Sequence, residues 1–98
     1  MKAYWTDKAL LRLQQIHDHI AQDSPVNAGR FVDRLTRKLA LLAHQPLAGV
    51  VVKRYQRDDI RETYEGAYRI IYRVRTDRID VLTVRHGARQ LPPRLRGL

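Results

Sequence analysis

The chain contains no cysteine and only one methionine, one tryptophan and one phenylalanine among its 98 residues. Without thiols there is neither a disulfide framework nor a cysteine-based metal site, and a reducing compartment, the cytoplasm by default, is the expected location. No apolar run approaches the roughly 18–20 residues of a membrane span. The amino-terminal MKAYWTDKAL has no uninterrupted apolar segment after its lysine, so neither membrane insertion nor a recognisable secretion signal is expected. Acidic residues are scarce: ten Asp and Glu face nineteen Lys and Arg, a formal charge of +9. Residues 1–49 hold seven basic against four acidic side chains and residues 50–98 hold twelve against six, so the positive field is concentrated in the second half. Such a field suits an acidic partner, whether protein, nucleic acid or membrane surface, and says little about fold. A basic surface kept for solubility is the plainer alternative.

The length suits one compact domain and is too short for two separate cores. No repeat, low-complexity segment or linker divides residues 1–98, which read as one domain with a short basic tail from about residue 91. KAYW (2–5) is a candidate first strand. Thr6 offers an N-cap hydroxyl with Asp7 in the first turn, and Leu10, Leu13, Ile16 or His17, and Ile20 recur at helical spacing, which predicts a helix from about Asp7 to Gln22. Asp23-Ser24-Pro25 is a break and a second start, with Ser24 as N-cap and Pro25 in the first helical position. Ala28, Phe31, Val32, Leu35, Leu39 and Leu42 then form an apolar stripe that ends near His44, before Pro46 and Gly49. Two helices with so short a break are expected to form an antiparallel hairpin.

Beyond Gly49 the period changes to alternation. VVKRY either pairs or stays irregular; IRETY (60–64) and YRIIYRVR (68–75) flank Glu65-Gly66, a tight-turn signal, and RIDVLTVRH (78–86) follows the weaker turn Thr76-Asp77. In the last strand apolar residues occupy both parities, as in an interior strand covered on both faces. The expected architecture is α+β in two layers, a helical hairpin packed on an antiparallel meander, with Leu35, Leu39, Ile70 and Val84 between the layers. On the strand 68–75, Tyr68, Ile70, Tyr72 and Val74 share the core side. The opposite side carries Arg69, Ile71, Arg73 and Arg75, three arginines around one isoleucine. A solvated strand has no need of that pattern; a partner with carboxylates and an apolar stripe does, because guanidinium groups hold carboxylates in bidentate pairs. Guanidinium stems merely covering Ile71 are the plainer account.

The order of elements, together with P-L-A-G (46–49), I-R-E (60–62), Y-R-I-I-Y-R-V (68–74) and V-L-T-V-R-H-G-A-R (81–89), resembles the RelE/ParE superfamily of type II toxin-antitoxin toxins, and the ParE branch most closely. The resemblance runs from Trp5 to about Leu91. Arg12 departs from it, since many relatives carry an acidic residue there, and LPPRLRGL runs beyond the shared pattern. The resemblance implies a small basic toxin held in a hetero-oligomeric complex by an acidic, partly disordered, ParD-like antitoxin, with DNA gyrase as the target of ParE members and no cofactor. Under it, Arg61, Arg69, Ile71, Arg73, Arg75, His86 and Arg89 are the candidate antitoxin or target contacts.

A competing reading is enzymatic. RelE-like toxins cut mRNA on the ribosome, and Arg61, Arg69, His86 and Arg89 would then surround the scissile phosphate, with His86 as general acid. Such cleavage also needs a base for the 2′-hydroxyl, and only Glu62 and Glu65 are near in sequence. Glu62 reads equally well as a surface ion-pair partner, and Tyr68 and Tyr72 as core aromatics. The ParE branch carries the His86–Arg89 pair without nuclease activity, so a structural or partner-binding histidine is the favoured reading. His17 and His19 are two apart on a helix and do not share a face, so no metal site is expected there. A plain nucleic-acid-binding module has only the charge in its support, with no recognition helix and no evident stacking platform.

Overall fold

Thr6 and Ser24 start the two helices as their sequence positions require. The Thr6 hydroxyl accepts from the Ala9 amide at 3.1 Å and donates to the Val81 carbonyl at 3.0 Å, so the cap also ties the helix to the sheet. The Ser24 hydroxyl accepts from the Asn27 amide at 3.1 Å, with Pro25 in the first turn where a missing N–H costs nothing. The computed structural model describes residues 1–98 as strand β1 (Lys2–Trp5), helices α1 (Asp7–Asp23) and α2 (Pro25–His44), and strands β2 (Val50–Val51), β3 (Ile60–Glu65), β4 (Tyr68–Val74) and β5 (Arg78–His86). Short 3-10 turns occupy Pro46–Ala48 and Leu95–Gly97. No helix is long and apolar enough to cross a membrane.

The two helices pack on one face of a five-stranded mixed sheet of order β1-β5-β4-β3-β2. β2 to β5 pair antiparallel, whereas β1 runs parallel to β5 and makes it an interior strand. The β3–β4 hairpin closes through Gly66, whose φ of +58° is a left-handed conformation that glycine adopts without strain. β5 has an irregularity: Ile71 pairs with Thr83 but Tyr72 pairs with Val81, so Leu82 is an extra residue. Apolar residues therefore change parity along β5. Ile79 and Val81 face the helices, and after the bulge Val84 does, while Leu82 packs on the other side.

The main core lies between the layers as expected. Leu35, Leu39, Ile70 and Val84 are all fully buried there, with Phe31, Leu42, Tyr72 and Val81. α1 contributes less than its stripe suggests: Leu13, Ile16 and Ile20 are half-buried and Leu10 is exposed.

A second core corrects the expectation for the other sheet face. Ile71 is not an exposed residue among arginines; it is fully buried with Val52, Ile60, Leu91 and Leu98, flanked by Tyr55, Leu82 and Leu95. The tail supplies the cover. Leu91, Leu95 and Leu98 fold back over the sheet, and the Pro92 carbonyl accepts from Arg54 Nε at 3.0 Å and from the Tyr55 hydroxyl at 2.9 Å. Residues 91–98 are thus part of the fold, not an appended basic tail.

Candidate functional site

The shared motifs P-L-A-G, I-R-E and Y-R-I-I-Y-R-V meet at one point. The buried Tyr72 hydroxyl donates to the Pro46 carbonyl at 2.7 Å and accepts from the Gly49 amide at 3.0 Å. Arg61, opposite Tyr72 in the β3–β4 register, donates to the carbonyls of Leu47 at 3.1 Å and Gly49 at 2.9 Å, and to the Asp58 carboxylate at 2.9 Å. A Cβ on residue 49 would lie 2.2 Å from the Tyr72 oxygen, so only glycine fits. Arg61 and Tyr72 form a latch that fixes the turn after α2 to the sheet. Burial raises the Tyr72 pKa above its ordinary value, which keeps the hydroxyl a donor.

The arginines of β4, and Arg75 just after it, are not free. Arg69 pairs with Glu62 at 3.0 Å, Arg73 with Asp59 at 3.0 Å, and Arg75 with Asp80 at 2.7 Å. Arg57 and Arg78 are the second partners of Asp59 and Asp80, each at 2.8 Å. Hydrogen bonding, first to Arg57 and then to Arg73, lowers the Asp59 pKa. Glu62 is half of an ion pair, as its plainer reading had it, but the pair is largely shielded from solvent rather than on the surface. The premise of an unpartnered arginine array around an exposed isoleucine does not hold: the array is a ladder of internal ion pairs over a second core.

His86 is on the other face. It pairs with Tyr68 in the β4–β5 register and lies edge-to-face against that ring at 5.7 Å, while Tyr68 packs on Phe31 of α2 at 5.1 Å. Its Nδ1 accepts from the Ala88 amide at 3.2 Å, which leaves Nε2 to carry the proton in the neutral ring. Arg69, opposite Arg85, faces away from the helices, and Arg61 lies four β4 positions from His86. Of the two candidate bases, Glu62 shares the far face with Arg69. Glu65 shares the helix face with His86, but Arg34 at 3.2 Å and Lys38 at 3.6 Å hold it, and the Tyr68 strand separates the two. The proposed cleavage set is therefore divided between two faces and two ends of the sheet.

The remaining candidate, Arg89, lies in the loop after β5 and lines a cleft of about 430 Å³ on the far face, with Lys53, Arg54, Glu62 and Arg69. Lys53, Arg54 and the buried Arg85 are not among the candidate contacts named from the sequence. Clustering of basic residues at 53–54 and 85–89 was the available signal, but nothing in either segment reveals that the second core brings them together. No group of three or more His, Cys, Asp or Glu residues is arranged to hold a metal ion.

Comparison with known proteins is decisive at the level of family. The profile of the family described as "ParE toxin of type II toxin-antitoxin system, parDE" matches residues 3–91. The chain belongs to the ParE toxin family. A Sinorhizobium fredii (strain NBRC 101917 / NGR234) relative named "Putative toxin Y4kP" is 34% identical over 93 residues, covering 90% of each chain. Among solved structures, a chain of the "Chromosomal ParDE TA system from P. aeruginosa" superposes with a TM-score of 0.70 at 22% identity, over 88% of this chain and 95% of that one. That likeness fixes the ParE fold, two helices on a five-stranded mixed sheet. The family profile stops at Leu91, where the tail that seals the second core begins.

Proposed function

We propose that this ParE-family toxin acts by binding DNA gyrase and stopping its turnover, without a bond-breaking step of its own, and that a cognate acidic antitoxin neutralises it. The observation in support is the scatter of the nuclease candidates: His86 and Arg69 face opposite sides of the sheet, and Arg61 is committed to the latch. A general acid and a phosphate clamp must converge within hydrogen-bond reach of one substrate, and these do not. Purified toxin is expected to inhibit supercoiling by purified gyrase with no ribosome present, and to leave mRNA intact on translating ribosomes. His86→Gln should change gyrase inhibition by less than about tenfold, whereas loss of a positioned general acid would cost about 10²–10⁴-fold. Ribosome-dependent cuts that vanish in His86→Gln, with gyrase unaffected, would install the enzymatic reading instead.

For the antitoxin, the helical hairpin offers the apolar surface that the arginine face lacks. Leu10 and Leu11 stand about half exposed or more, at 49% and 58%. Beside them a groove of about 310 Å³ is lined by Leu10, Leu13, Gln14, His17 and Val32. An acidic amphipathic segment suits both this groove and the chain's charge of +9. Arg73, Arg75, His86 and Arg89 keep enough exposure to take carboxylates from the same partner. Leu10→Glu is expected to weaken the toxin-antitoxin complex at least tenfold in a titration at fixed salt, and Leu41→Glu, at an exposed position on α2, to leave it within twofold. Equal losses would remove the groove as the site.

A further inference from the structure

The two edges of the sheet are unlike. β2 is two residues long and leads into the turn at 53–56, too short to template another strand. β1, at the other end of the strand order, has four residues with no proline and no bulge, and Lys2 is its only charge. Its backbone parity is set by the Thr6 amide, which donates to the Val81 carbonyl at 3.2 Å. Successive strand residues turn their N–H and C=O to opposite sides, so those of Lys2 and Tyr4 also face β5 while those of Ala3 and Trp5 point out to the edge. The Ala3 and Trp5 side chains pack on the main core. Beside them a groove of about 360 Å³ opens between β1 and α2, with Met1, Trp5, Thr36, Ala40 and His44 in its lining. On the far side Tyr4 is 50% exposed, and its ring has the Arg78 guanidinium 4.9 Å from the centroid.

This edge is complementary to itself. Antiparallel pairing sets outward-facing residues against outward-facing residues, so a two-fold pairing of β1 with a second β1 centres on a residue, and centring on Ala3 engages the whole strand. Ala3 then opposes Ala3, Met1 opposes Trp5, and Lys2 opposes Tyr4. On the helix side Met1 enters the groove mouth of the second copy against the tryptophan, a sulfur–aromatic contact, and the small Ala40 and Thr36 leave it room. On the far side Lys2 reaches the open half of the tyrosine ring, a cation–π contact. No like charges stand directly opposite. We propose that two copies of the toxin associate through their β1 edges, antiparallel about Ala3, into one continuous sheet. The contact falls among small, transient interfaces of less than about 1,200 Å², and the +9 charge of each copy opposes it, so the dimer is weak and concentration-dependent. It uses none of the Leu10–Val32 groove and needs neither gyrase nor antitoxin.

The test is sedimentation equilibrium of the full chain alone, with no tag before Met1, across a concentration series. A monomer–dimer equilibrium is expected, and it should tighten as added salt screens the like charge of the two copies. Ala3→Pro removes an N–H that points away from β5, so the fold should tolerate it, while the dimer loses a hydrogen bond from each copy and weakens at least about tenfold. Tyr4→Ala should weaken it by about 5- to 30-fold, the worth of two exposed cation–π contacts, and stands in for Ala3→Pro should circular dichroism show that variant unfolded. The register has its own readout, because the chain has no cysteine. A hydrogen-bonded antiparallel pair sets its Cα atoms about 5.5 Å apart, within disulfide reach, so Ala3→Cys should oxidise to a covalent dimer well before Lys8→Cys, at an exposed position on α1. A chain that stays monomeric, whether or not an acidic peptide then binds at β1, would overturn the proposal. So would equal cross-linking of the two cysteine variants, or a dimer that Leu10→Glu abolishes and both β1 variants leave intact, which would move the interface to the helical groove.

Discussion

Leu39→Ala is expected to lower the unfolding free energy by about 2–5 kcal/mol, the range for truncating a buried leucine. Leu39 stands at the centre of the α2 stripe, 1% exposed, in the core with Leu35, Ile70 and Val84. The helices and sheet meet there as two preformed layers, so neighbours have little freedom to collapse into the space left by the missing methyl groups. In a domain of this size, 1 kcal/mol corresponds to roughly 4–8 °C in Tm, so the loss should be plain in a thermal melt. Leu41→Ala, two residues along on the solvent side and 71% exposed, should stay within about 0.5 kcal/mol of the parent. Equal midpoints for the two variants would mean that α2 presents a different face to the sheet.

Local signals carried most of this fold. Thr6 and Ser24 mark helix starts through hydrogen bonds that reach only three residues, Pro25 through its fixed φ and missing N–H, and Gly66 marks a hairpin through one backbone angle. The alternation of β4 likewise separates Tyr68, Ile70, Tyr72 and Val74 from the arginine side, as observed. What alternation leaves open is whether the second side is covered. For Ile71 the cover comes from Leu91 and Leu98, twenty and more residues later in the chain. Nor does a strand announce its neighbours' register, and it is register that gives Arg69 its Glu62 and Arg73 its Asp59.

A single residue divides the candidate nuclease set between the two faces of the sheet. Ile79 and Val81 face the helices, so uninterrupted alternation would turn Thr83 and Arg85 to the helices and His86 to the far face with Arg69. The extra residue Leu82 reverses this, sending His86 to Tyr68 and burying Arg85 behind the cleft. A bulge of one residue has no reliable signature in one sequence. The family motifs had a related difficulty: P-L-A-G, Arg61 and Tyr72 were recognisable, but only the β3–β4 pairing reveals that they answer one another as a latch. Arg61 is explained by the carbonyls it holds, with no reaction required.

Ile71→Ala separates the two accounts of the arginine face. On an open strand surface the substitution would fall within about 0.5 kcal/mol of the parent; in a sealed second core it should cost about 2–5 kcal/mol. The larger value is expected, because Ile71 is fully buried and its contacts include both the β2–β3 region and the tail. Its dependence on the tail can be isolated. Removing residues 92–98 strips Leu95 and Leu98 from the cluster but also releases the entropy of an ordered segment, so the deletion alone has a net effect of opposing contributions. A double-mutant cycle cancels that entropy. In the shortened chain Ile71 is already partly hydrated before it is truncated, and the further cost of Ile71→Ala should fall by at least about 1 kcal/mol, within the range of coupling between residues in contact. Urea unfolding of the four chains measures it. An Ile71→Ala penalty that is the same with and without the tail would show that β2–β3 alone shields the isoleucine, and that residues 92–98 contribute nothing to the second core.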